Sequence, residues 1–272
     1  MRFGKALRPA PPTNSKHFMN VLITNDDGIR APGLRALYRS LMERGHEVHV
    51  VAPMRQQSGV GHSLTVFEPL RAVQFDEADF HGLGIYGTPT DCVKLALSSL
   101  LDQRPDIVLS GINLGPNCGP DILYSGTVGA ATEACHENLP TMAISDDESE
   151  PVDMLEKARH AVRLAETIDF AKFPPRRVIN VNYPKGPFAK NKGVRVCAQT
   201  TAVWKNGYLE RRDPRGNRYW WLEGEIPPET INQGSDRDLL TRGYVTVTPL
   251  FFDFTDQESL DLLDGMDLAP SK

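Results

Sequence analysis

No stretch of this 272-residue chain approaches the eighteen or so consecutive apolar residues that a membrane-crossing helix needs, so no membrane partner is expected. Cysteine is scarce. Cys92, Cys118, Cys135 and Cys197 are scattered without a C-x-x-C pair, which argues against a zinc ribbon or a disulfide scaffold and for reduced thiols in a cytoplasmic protein. Excess positive charge is missing too: 30 Lys and Arg stand against 35 Asp and Glu, a net charge of −5, which points away from nucleic-acid polymers. There is no G-x-x-x-x-G-K-[ST] loop and no glycine-rich dinucleotide fingerprint after the first strand. A nucleotide here would therefore be substrate rather than fuel, and a nicotinamide-dependent enzyme is not expected. No apolar h-region opens the chain. Residues 1–18 carry Arg2, Lys5, Arg8 and Lys16 with Pro9, Pro11 and Pro12 but no acid, and read as a disordered basic extension or a start placed upstream of Met19.

What is there is a globular composition, 40% hydrophobic and 24% charged, long enough for one large domain or a domain plus a lobe. The stretch Asn20-Val-Leu-Ile-Thr-Asn-Asp-Asp-Gly28 reads as a buried central strand running into two adjacent carboxylates and a glycine. Asp26 and Asp27 at a strand end can converge on one point. There they repel unless a cation sits between them. The competing reading is a polar turn, since Asn, Asp and Gly are common turn residues. Leu34, Leu37, Tyr38, Leu41 and Met42 then follow at helical spacing from Pro32 to a Gly45 cap, and Glu47 to Pro53 is a second strand. Strand, helix, strand at this spacing is a βαβ unit of an α/β fold.

In such sheets ligands bind beyond the carboxyl ends of the strands, which puts the loop Met54–His62 on the same edge as the doublet. That loop is either a mobile surface loop or a source of ligands, Ser58 and Arg55 among them. Residues 64–67, 70–75 and 83–86 read as short antiparallel strands, and Thr90 as the cap of the next helix with Asp91 in its first turn. A further apolar strand ends at Asn113. Ser125-Gly126-Thr127 opens a small-residue helix whose free N–H groups would seat phosphate oxygens; the plainer alternative is an ordinary Ser/Thr cap. Helix 154–168 and strands 141–145, 177–182, 194–197 and 244–248 complete the body. Asp213–Asn217 is a turn before an aromatic strand, residues 223–238 read as loop, and a last helix spans 257–263. A hairpin with exposed aromatics that cannot bury itself alone pairs with another chain.

Asp26, Asp27, Ser58 and Asn113 are all oxygen donors on one sheet edge, a set suited to Mg²⁺ or Mn²⁺. A hard cation beside an anion cradle is equipment for phosphoryl transfer, with either a water or Asp26 itself as nucleophile; water is preferred, because an Asp committed to a cation attacks poorly. A nucleotide sensor without turnover and a metal-dependent glycosyltransferase are the rival classes.

Five motifs in order, Val21-Leu-Ile-Thr-Asn-Asp-Asp-Gly-Ile-Arg-Ala-Pro-Gly33, Val51-Ala-Pro53 with Gln57-Ser-Gly59, Gly87-Thr-Pro-Thr-Asp-Cys-Val93, Ser110-Gly-Ile-Asn-Leu-Gly-Pro-Asn117 and Tyr124-Ser-Gly-Thr-Val128, closely resemble the SurE family of survival-protein 5′-nucleotidases. The match runs in register from about Asn20 to Asn182 and thins beyond it. The resemblance implies a Rossmann-like three-layer α/β/α body over residues 19–185 and a C-terminal β-hairpin oligomerisation lobe over 186–272. It implies a phosphatase of nucleoside 5′- and 3′-monophosphates, with a possible exopolyphosphatase side activity and one divalent cation per subunit on Asp26, Asp27, Ser58 and Asn113. Asn117, Ser125, Gly126 and Thr127 would lie around the phosphate, and dimers or tetramers would exchange C-terminal hairpins. The sequence departs from the family in the extension before Met19 and in Gly59-Val-Gly-His-Ser63, which leaves base and sugar preference open.

Overall fold

Alternation along the first strand decides the layering. In β1 (Asn20–Thr24) Val21 and Ile23 face one way and Leu22 the other, and all three are fully buried, so both faces of the sheet are covered. The computed structural model describes residues 18–266 and residue 268, so the proposed extension lies, Phe18 apart, outside the described residues. After β1 come α1 (Pro32–Glu43), β2 (Glu47–Pro53), β3 (Ala72–Glu77), β4 (Phe80–Ile85), α2 (Pro89–Leu95), β5 (Ile107–Leu114), α3 (Gly126–His136) and β6 (Thr141–Asp146). The chain continues through α4 (Met154–Thr167), β7 (Arg177–Tyr183), β8 (Val194–Val196), β9 (Lys205–Arg212), β10 (Arg218–Glu225), α5 (Asp236–Thr241), β11 (Val245–Phe251) and α6 (Gln257–Asp264).

Nine strands form one sheet in the order β3-β4-β2-β1-β5-β6-β7-β11-β8. β1 pairs in parallel with both β2 and β5, and β5, β6 and β7 continue in parallel away from it. The chain thus winds outward in both directions from β1, and the switch point, where α/β sheets open a crevice at their carboxyl ends, lies between β1 and β5. On one face α1 and α4 pack over Val21, Ile23, Leu109 and Ile144; on the other α2 and α3 cover Leu22, Val51 and Val108. The expected three-layer α/β/α arrangement is the one observed.

Local chemistry sets the element ends. Pro32 stands in the first turn of α1, and Leu34, Leu37 and Leu41 are its buried stripe, each contributing about 1.5–3 kcal/mol by burial. Gly45 closes that helix at φ +83°. The cap of α2 is Thr88 rather than the expected Thr90: Thr88 Oγ1 accepts the Asp91 N–H (3.1 Å) and Asp91 Oδ2 accepts the Thr88 N–H (2.8 Å), a capping box around Pro89. Residues 64–67, expected as a strand, are irregular, while the antiparallel pair is β3 with β4. Within the expected 223–238 loop, β10 runs to Glu225 and α5 begins at Asp236.

The C-terminal third is less separate than a boundary at residue 185 implies. β11 pairs antiparallel with β7, and β8 lies parallel outside it, so both extend the main sheet. Only β9 and β10 stand apart, as a two-stranded ribbon with Tyr208, Trp220, Trp221 and Leu222 exposed. The ribbon's own chain is tied down beside it. Buried Asp236 accepts N–H bonds from Gly119 (2.8 Å) and Thr200 (2.8 Å), and Arg237 pairs with Asp121, joining the C-terminal segment to the loop after β5.

One buried ion pair supports this edge. Lys157 Nζ reaches both oxygens of Asp146 (2.8 and 2.7 Å), with both side chains out of solvent. Removing the ammonium strands a carboxylate in the interior, so Lys157→Met should destabilise the fold by about 3–5 kcal/mol. Chemical denaturation checks this, and a loss under 1 kcal/mol would assign the pair no supporting role.

Candidate active site

The Asn25–Gly28 segment is a turn and a carboxylate platform at once. Buried Asn25 closes it, its Oδ1 accepting the Gly28 N–H (3.2 Å) and its Nδ2 donating to Gly28 O (3.0 Å). Gly28 takes φ +98°, a conformation that side-chain-bearing residues rarely adopt. Asn25 is thus the turn residue, and the turn holds Asp26 and Asp27 at the switch point.

Each carboxylate is gripped by a different element. Asp26 Oδ1 accepts the Thr127 hydroxyl (2.6 Å) and Oδ2 the Thr127 N–H (3.1 Å), at the start of α3. A side chain on Gly126 would strike Asp26 Cβ at 2.8 Å, so the glycine lets the helix end approach this closely. Asp27 Oδ2 accepts the Leu114 N–H from the end of β5 (3.2 Å). Burial raises the Asp26 carboxyl above its usual range, against the pull of the Thr127 bonds. Burial first, and then the Asp26 charge, push Asp27 up to about 6. No ion pair reaches either carboxylate among the described residues. A buried and a half-buried acid side by side without a basic partner form a donor set that fits a divalent cation.

The other two expected ligands are placed less tightly. Asn113 follows a shift of register between β5 and β6, next to the cis Gly111–Ile112 peptide, and its Nδ2 donates to Gly115 O (2.7 Å), which leaves Oδ1 for a ligand. Ser58 is exposed and its hydroxyl accepts from Gln56 Nε2 (2.9 Å). Its loop is anchored one residue earlier, where the Gln57 N–H donates to Asp26 O (2.7 Å). The structure therefore brings Asp26, Asp27 and the end of β5 into direct contact, and joins Ser58 to them through backbone.

The expected phosphate cradle is organised differently from the simple helix-end seat. Thr127 spends its N–H and its hydroxyl proton on Asp26, so the anion at this helix end is the protein's own carboxylate. Ser125 is the N-cap, as the plainer reading had it: its Oγ accepts the Val128 N–H (3.1 Å) and keeps its hydroxyl proton. Asn117 Nδ2 donates to Ser145 Oγ (2.7 Å), and its backbone is clamped by β7. Asn182 Oδ1 accepts the Asn117 N–H (2.8 Å), while Asn180 and Asn182 both donate to Asn117 O (2.8 and 3.1 Å). The sequence signal for this clamp was Asn180-Val-Asn182, two amides on one face of an otherwise apolar strand. Arg55, considered for phosphate contact, is exposed in the loop after β2.

Comparison with known proteins identifies the family. The family model for survival protein SurE matches residues 21–206. A protein of Desulfovibrio desulfuricans named 5′-nucleotidase SurE is 64% identical over 255 residues, covering 92% of this chain and 99% of its own. One of the same name from Nitratidesulfovibrio vulgaris is 59% identical, covering 90% and 91%. The crystal structure of the SurE protein from Aquifex aeolicus superposes with a TM-score of 0.76 at 37% identity, over 90% of this chain and 99% of that one. With the Asp26–Asp27 turn at the switch point of the same fold, the chain belongs to the SurE family.

Proposed function

We propose that the protein is a 5′-nucleotidase, a phosphoric monoester hydrolase that releases phosphate from nucleoside 5′-monophosphates, and that it also accepts 3′-monophosphates. The observation that carries this reading is the pair of adjacent carboxylates at the switch point, each held by hydrogen bonds and neither paired with a basic side chain among the described residues. The names borne by its relatives support it. One divalent ion per subunit, Mg²⁺ or Mn²⁺, would be held by Asp26, Asp27, Asn113 Oδ1 and Ser58, and when bound it supplies charge to the phosphoryl oxygens and acidity to a water.

The chain's own residues do the rest. Thr127 fixes the orientation of Asp26, and the Leu114 N–H that of Asp27. Asp27 Oδ1 makes no hydrogen bond among the described residues and is positioned to take the proton of an attacking water, so a water nucleophile is preferred to an aspartyl one. Ser125 retains a hydroxyl proton for a phosphoryl oxygen, while Asn117, clamped by β7, shapes the opposite wall with Gly126 and Thr127 at the helix start.

A phosphate-release assay over 5′- and 3′-nucleotides and inorganic polyphosphate, with Mg²⁺ and Mn²⁺ in turn, tests the proposal. Turnover of 5′-monophosphates is expected, with polyphosphate trimming at most a side activity. Binding without phosphate release would instead identify a sensor. The β9–β10 ribbon supports a homodimer or tetramer, since two strands with an exposed aromatic face are marginal alone. Light scattering should give a mass of two or four chains for the wild type, and one chain when Trp220 and Trp221 are both replaced by Ser.

A further inference from the structure

Along α3 from Thr127 to Glu133 the helix rises about 9 Å, and there a second group of ligand-type side chains meets. His62 comes from the loop after Ser58, while Glu133 and His136 come from one face of α3 at i, i+3 spacing. One ligand atom from each lies within 4.8 Å of the others. His62 Nε2 is 2.9 Å from Glu133 Oε2, and the two imidazoles sit with ring centroids 5.7 Å apart.

We propose that His62, Glu133 and His136 bind a second metal ion, one borderline transition-metal cation of the Zn²⁺ class, at a site distinct from the Asp26–Asp27 pair. Two imidazoles and a carboxylate select Zn²⁺, Co²⁺ or their neighbours over Mg²⁺, whose preferred donors are all oxygen. Tetrahedral Zn²⁺ with bonds near 2.0–2.1 Å holds its ligands roughly 3.3 Å apart, so the group must contract by about 1.5 Å. Both histidines are exposed enough to make that adjustment by side-chain rotation.

The surroundings favour occupancy. Glu133 is buried, and its two carboxylate oxygens meet His62 and Lys94 separately. Lys94 Nζ binds the other oxygen, Oε1 (2.6 Å), and so orients the carboxylate while Oε2 faces the histidines. Lys94 is itself half exposed and can retreat into solvent from an incoming cation. Gly129 makes the approach possible, because a side chain there would meet Gly61 O at 2.7 Å. An ion at this site would lock the Ser58–His62 loop onto the helix whose first turn grips Asp26.

Co²⁺ binding to the tag-free full-length chain tests this, since four-coordinate Co²⁺ with nitrogen ligands absorbs strongly in the visible. In an Asp27→Asn background, with Mg²⁺ in excess, one equivalent of Co²⁺ should bind at micromolar concentration with that absorption, and Zn²⁺ should displace it. Adding His136→Ala, or separately His62→Ala, should abolish the band and the bound equivalent. Absence of uptake in the Asp27→Asn chain, uptake only at millimolar ion, or a band that survives both histidine changes would overturn the proposal.

Discussion

Asp27→Asn should keep the fold and lose about 10³-fold in phosphate release from nucleoside monophosphates, some 4 kcal/mol of transition-state stabilisation. Asparagine is nearly isosteric and its carbonyl can still accept the Leu114 N–H, so the geometry survives while one negative charge is removed. The same substitution should stabilise the metal-free protein. Asp27 titrates at about 6 in the fold against 3.8 ordinarily. Below 3.8 both states hold the proton and nothing is lost; between the two values the unfolded chain gives it up first, and above 6 the full penalty stands. Allowing for partial exposure, that penalty is about 2 kcal/mol. The metal-free wild type should therefore melt progressively lower as pH rises through this window, and Asp27→Asn should show a shallower slope, the raised Asp26 and Asp146 keeping their own shares. A variant with near-wild-type turnover would return the doublet to a purely structural turn.

Chelation carries the second large effect. EDTA treatment should abolish turnover, and Mg²⁺ or Mn²⁺ should restore it, because no basic side chain among the described residues can take the cation's place between the two acids. Binding should also register as stability. At a hundredfold excess over the dissociation constant the gain is about 2.7 kcal/mol, or roughly 5–10 °C in melting temperature for a chain of this size. The ligands must be ionised, so the ion's affinity should fall as pH drops through the Asp27 value of about 6. Full activity after exhaustive dialysis against chelator would remove the cation from the mechanism.

Much of this was legible from residues alone, and the failures share a cause. The doublet announced itself because apolar Val21–Ile23 leads straight into it, and the βαβ spacing placed it at a strand end. The partner of Asp26 did not, since Thr127 lies 101 residues away and no local pattern reports so distant a contact. For the same reason Ser125-Gly126-Thr127 shows a helix start and its Ser125 cap, but not that Thr127 bonds Asp26. Thr90, the expected cap, lies two residues inside the helix; the reciprocal bond between Thr88 and Asp91, with Pro89 at the first helical position, makes Thr88 the cap. Leu64 and Val66 alternate as a strand would, yet they are exposed and pair with no strand among the described residues, so alternation without a covering layer misled. The six-residue α5 offers only Leu239 and Leu240 as buried apolar positions, too few for periodicity to show. The His62, Glu133 and His136 grouping depends on the packing of a loop against a helix, which spacing does not encode.

Asp236 gives the tail of the molecule a say in what happens at its front. Because this one side chain fastens Gly119 and Thr200 together, shortening the protein at any point between Tyr183 and Asp236 does more than strip away an appendage. It unfastens the wall next to Asn117. A truncated form judged only by its missing arms would be misread, since its lost activity would originate at the rim of the crevice.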